Sequence, residues 1–130
     1  MKKQLLIIAT LDTKGKEAGY VRDCVERLGV KPIVMDVGTL GKPLIRPDIP
    51  QNEVVEAAGY RFEDLIRGKD RSVSVKAVQE GGALLAKKLL EKRQLHGVFG
   101  MGGGTGTAIA TYIMRSLPFG VPKVVLSTVA

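Results

Sequence analysis

The stretch Gly100-Met101-Gly102-Gly103-Gly104-Thr105-Gly106-Thr107 is the densest chemical pattern in this chain. Five glycines fall within seven residues, interleaved with threonine and followed by a helical run from Ala108 to Arg115. Glycine there removes the Cβ that would block phosphate oxygens and opens the left-handed dihedrals of a turn. The backbone N–H groups and positive end of the following helix then point at the anion. A phosphate cradle is expected over Gly102, Gly103, Gly104 and Gly106, with Thr105 and Thr107 offering N-cap hydroxyls to phosphate oxygens or a hydrated metal ion. The plainer alternative is a glycine-rich turn without a ligand, but this much glycine exceeds what a turn needs.

A second polar stretch follows the first apolar run: Thr10-Leu11-Asp12-Thr13-Lys14-Gly15. Lys14 suits the charge of a phosphate, Asp12 suits a hydrated magnesium ion, and Thr10 and Thr13 add hydroxyls. Asp12 and Thr13 also fit as a helix N-cap. Asp36 stands 24 residues after Asp12, near the place from which dinucleotide-binding folds hold a ribose hydroxyl. An acid that caps a turn explains Asp36 equally well. No general base is evident beyond Asp12, no arginine finger can be named, and no cysteine and histidine cluster suggests zinc. Cys24 has no histidine near it and reads as packing. His96 precedes its strand, at the end away from the glycines.

For the two loops to act together, one sheet must carry both at the same end. Residues 3–9 read as a first strand, whose run Leu5–Ala9 is continuously apolar, as in a parallel strand buried on both faces. A helix follows with Ala18, Val21, Val25 and Leu28 at helical spacing and Gly29 as its C-cap. Pro32 opens a second strand through Val37, Leu95–Phe99 forms a third, and Lys123–Thr128 a fourth. Helix Thr107–Ser116 packs through Ala108, Ile109, Tyr112 and Ile113. Residues 38–71 read as an insertion of loop and two short helices, burying little, over one sheet edge. The longest helix, Ser72–Arg93, presents Val75, Val78, Gly82, Leu85 and Leu89, with Gly82 admitting another backbone. Right-handed connections give a Rossmann-like three-layer α/β sandwich with parallel strand order 2-1-3-4. The loops after strands one and three then face one crevice.

Composition narrows the class. At 130 residues, 45% hydrophobic and 25% charged, the chain makes one ordinary globular domain. No apolar run is long enough to span a membrane. One cysteine forms no intrachain disulfide, which points to a cytoplasmic setting. Of the net charge of +7, a surplus of +4 lies in residues 61–93. These charges are mixed in sign and aromatic content is 5%, so a nucleic-acid surface has little support. A core strand at Ser127–Ala130 suggests half of a longer protein, with apolar surface that self-association would cover.

Two resemblances rest on these motifs. Gly100–Thr107 resembles the phosphate-binding signature of bacterial tubulin-like GTPases, with Ala108 where that signature has another glycine and Thr10–Gly15 in place of their glycine-rich first loop. The wider resemblance spans the chain. Ala9–Gly15, Asp36-Val37-Gly38, Asp48–Gly59, Gly68-Lys69-Asp70-Arg71, the glycine loop and Pro122–Ala130 together resemble an uncharacterised family of bacteria, archaea and fungi. That family is similar to the N-terminal ATP-binding domain of the tomato mosaic virus resistance protein, an inhibitor of viral RNA replication. The resemblance implies a domain that binds ATP with magnesium and forms homodimers, and a second α/β domain after residue 130. ATP binding is the expectation. A non-enzymatic protein- or RNA-interaction module and a tubulin-like GTP-binding protein are the alternatives.

Overall fold

Strands whose consecutive residues are all apolar need cover on both faces, and the fold supplies it. The computed structural model describes residues 2–39 and 41–129. Four parallel strands, β1 (Gln4–Ala9), β2 (Lys31–Asp36), β3 (Gly97–Gly102) and β4 (Lys123–Ser127), form one sheet in the order β2-β1-β3-β4. Helix α1 (Leu11–Arg27) covers one face, where Ile7, Ala9, Val34 and Met101 meet Leu11 and Ala18. The other face holds Leu6, Ile8, Ile33, Met35 and Val98. It lies under α2 (Gln51–Ala57), α4 (Arg71–Glu91) and α5 (Gly104–Arg115), with the short α3 (Phe62–Gly68) beside α2. This is the expected α/β sandwich with the expected strand order.

Four details differ from the sequence reading. β3 starts and ends later than Leu95–Phe99, so Gly100 and Gly102 are strand residues. α1 begins at Leu11, so the Thr10–Gly15 stretch is mostly the first turn of a helix and not a free loop. The insertion contributes to the core, because Val54 and Val55 of α2 are buried against α4. The buried face of α4 is rotated toward Ala77, Val78, Gly81, Gly82, Ala83 and Ala86, leaving Leu85 and Leu89 at its margin. Small residues line that face because two other helices approach it. A Cβ at Gly81 would fall on the carbonyl oxygen of Val54, and one at Gly82 would meet Ile113 of α5. The backbone crossing is thus at Gly81, one residue before the expected position.

β4 was expected to be a core strand. It is the edge strand that the order 2-1-3-4 requires, paired only to β3, but its side chains are not core: Val124, Val125 and Leu126 are exposed to 55%, 39% and 57%. Those side chains are the uncovered apolar surface on which the expectation of self-association rests. Among the described residues, no helix is long and apolar enough to cross a membrane.

Candidate functional site

Adjacency of β1 and β3 brings the starts of α1 and α5 together at the carboxyl edge of the sheet. Because α4 runs antiparallel to the strands it connects, its N-terminus lies at the same edge. A cleft of about 270 Å³ opens there, lined by Thr10, Asp12, Thr13, Lys14, Val37, Thr39, Arg71, Gly103–Gly106 and Ile109. A larger cleft of about 390 Å³, between Lys31, Ile33, Leu85 and Lys88, lies at the other end. It gathers the C-terminal turns of α4, where the helix dipole is negative, so it is the poorer place for an anion despite its lysines.

The first wall packs against Gly38, Gly41 and Leu44, which follow β2. Leu44 N–H donates to the carbonyl of Leu11 at 3.0 Å, and a Cβ at Gly15 would stand 2.6 Å from Leu44 Cβ. Asp12 is half-buried between Gly38 and Gly41, and a Cβ at either glycine would come within 3.0 Å of it. Lys14 breaks the helix with φ −117° and ψ 16°, so its side chain leaves the α1 surface and lines the cleft. Thr10 and Thr13 share a 2.8 Å hydrogen bond between their hydroxyls.

The glycine segment divides into two jobs. Gly100 and Gly102 let α5 lie directly on β3. A Cβ at Gly100 would stand 2.6 Å from Ala110 Cβ, and one at Gly102 would stand 2.7 Å from Gly106 Cα. Gly103, Gly104 and Gly106 line the cleft. None of the segment's glycines has a positive φ, so close approach, not left-handed backbone, is what requires glycine there. The N-cap of α5 is Gly103, with no side-chain cap. Thr105 and Thr107 therefore sit in the first turn and not at the cap. Thr105 lines the cleft, whereas the Thr107 hydroxyl turns away, donating to Ser127 Oγ at 2.9 Å and lying 3.2 Å from the Gly102 carbonyl oxygen.

Asp36 lies beneath the cleft and is fully buried. Its Oδ1 accepts from the amides of Leu11 at 3.1 Å and Gly38 at 2.9 Å, tying the start of α1 to the end of β2. Of the two readings of this acid, the geometry carries the turn-holding one. Its Oδ2 has no partner among the described residues. Burial raises the pKa of this carboxyl, aided by the nearby charge of Asp12 and opposed by the two amides. The folded form therefore holds the proton to higher pH than the unfolded chain, and this group's stabilisation falls as pH rises from the ordinary aspartate range through the raised value. Asp36→Asn, which keeps an oxygen for both amides, is expected to flatten that slope. Urea midpoints measured between about pH 4 and pH 7 check this. A slope identical to that of the parent would show that another group carries it.

Arg71 is the site residue that the sequence reading passed over. It is the first residue of α4, and its Nη2 donates to Thr105 Oγ1 at 2.8 Å. Lys69, in the left-handed region at φ 51°, ends α3 and turns the chain so that Asp70 caps α4 and Arg71 faces α5. The local signal was present in Gly68-Lys69-Asp70-Arg71, a helix stop followed by an N-cap. That this cap lies beside the glycines depends on the direction of α4 across the sheet. Thr10, Asp12, Thr13, Lys14, Gly103, Gly104, Thr105 and Gly106 are thus brought together, while Asp36, Gly102 and Thr107 support them from behind.

Residues 3–130 match the N-terminal domain of UPF0261, an uncharacterised protein family. The chain belongs to that family. A UPF0261 protein of Clostridium tetani is 42% identical over 130 residues, covering 100% of this chain and 32% of its own length. One from Rhizobium meliloti is 39% identical over 128 residues, covering 98% and 31%. The tomato (Solanum lycopersicum) ToMV susceptible protein tm-1(GCR26) is 41% identical over 149 residues, covering 98% of this chain and 19% of the tomato protein. The chain spans about a third of the length of the bacterial UPF0261 proteins it matches.

Proposed function

We propose that this UPF0261 domain binds ATP as its magnesium complex, with the polyphosphate in the cleft between the starts of α1 and α5. The observation that carries the reading is convergence: Lys14 and Arg71 face one cleft whose rim is formed by helix N-termini. Helix N-termini and nearby cations act together on an anion, because unsatisfied amides and positive charge favour the same oxygens. Among the described residues, Asp12 is the only acid lining the cleft. Among the described residues, no group of three metal-ligating side chains gathers. That suits magnesium carried by the nucleotide, since this ion commonly takes one or two carboxylates, substrate phosphates and water. Asp12 would hold it. The resemblance to an ATP-binding domain supports the choice of nucleotide.

Titration calorimetry of the chain with ATP, with and without magnesium, tests the reading. Stoichiometric binding that strengthens with magnesium is expected. An absence of binding in both conditions would refute it. The exposed edge of β4 favours a second reading, a protein-interaction module that holds nucleotide without turning it over. Phosphate release with excess magnesium and ATP separates the two: steady release marks an enzyme, and retention without release marks the module.

A further inference from the structure

We propose that Arg71 is a specificity residue that reads the number of phosphates on the ligand, making the cleft selective for polyphosphates over a monophosphate. The inference rests on the nucleotide reading of the cleft. Arg71 is exposed at the start of α4 and reaches Thr105, 34 residues away, at the α5 side of the cleft. Its charge is not neutralised: the ion pairs among the described residues are Arg22–Asp23 and Arg67–Asp64. The acid beside it, Asp70, caps α4 through one carboxylate oxygen and makes no ion pair with Arg71 among the described residues. Asp70 Oδ1 accepts from the amides of Ser72 at 3.0 Å and Val73 at 3.3 Å and from Ser72 Oγ at 2.7 Å.

An arginine without a carboxylate partner, held by a single neutral hydroxyl, keeps most of its donors for something else. Guanidinium donors form a planar fork that matches phosphate oxygens in pairs. The amides in the first turn of α5 suffice for one phosphate group. Arg71 stands beside that turn and not within it, so it serves a further phosphate on the same ligand, with Lys14 contributing from the opposite wall. A monophosphate uses the amides alone. A diphosphate or triphosphate also engages Arg71.

The test compares AMP, ADP and ATP by calorimetry for the parent chain, Arg71→Ala and Arg71→Lys, with Lys92→Ala as a control for net charge at the far end of α4. Circular dichroism checks that each variant is folded. Arg71→Ala is expected to weaken ADP and ATP by about ten-fold or more, the scale of one charge-assisted contact, and to leave AMP nearly unchanged. Arg71→Lys recovers part of the loss, because it restores charge without the fork. Lys92→Ala changes none of the three. Equal loss for all three nucleotides in Arg71→Ala, or no loss for any, overturns the proposal while leaving nucleotide binding standing. A parent chain that binds no nucleotide overturns both.

Discussion

Gly104→Val is expected to lower ATP affinity by about ten- to hundred-fold while leaving the fold as stable as before. Gly104 is exposed at the first residue of α5, and a Cβ there meets nothing within 4 Å, so the protein itself offers no objection to a side chain. Its φ is not positive, and valine is a better helix residue than glycine. On the proposed nucleotide reading, the added methyl groups project where a phosphate would approach the first-turn amides. Loss of binding without loss of stability would therefore report on the ligand alone. Gly102→Val could not serve, because its side chain would drive into Gly106 and separate α5 from β3. Calorimetry and thermal melts of the same samples make the comparison. Unchanged affinity in Gly104→Val would mean that the phosphates lie elsewhere.

The largest expected effect on stability belongs to Gly81→Ala. In an exposed helix that change stabilises by roughly 1 kcal/mol, through reduced backbone entropy in the unfolded chain and better propensity. Here the new methyl would fall on the carbonyl oxygen of Val54, a backbone atom that cannot rotate aside. α2 and α4 must part, which opens the core around Val54, Val55 and Val78. A net loss of about 3 kcal/mol is expected, at the upper end of overpacking costs. Gly82→Ala should cost less, since its obstacle is the flexible end of the Ile113 side chain. Urea unfolding of both variants checks the order. A stabilised Gly81→Ala would show that the helices are loosely packed at their crossing.

The sequence by itself determined the class of fold, the strand order and the pairing of the two polar stretches. Apolar runs at Leu5–Ala9 and Ile33–Met35 can be satisfied only by strands covered on both faces, and right-handed connections leave few ways to join them. With β1 beside β3, Thr10–Lys14 had to meet the glycines. What only the tertiary structure decided is which residue of each motif does what. A glycine that lines a cleft and a glycine beneath a helix look alike in sequence, yet a Cβ at Gly104 would meet nothing within 4 Å and one at Gly102 would drive into Gly106. Gly102 and Gly104 differ only by what approaches them. Asp36 likewise could have faced solvent or the interior, and burial under α1, with two amides in reach, makes it a brace. Arg71 was invisible as a site residue because its partner, Thr105, is 34 residues away and reached only through the path of α4 across the sheet. Local chemistry is written along the chain, but the distance between two walls of a cleft is a property of packing.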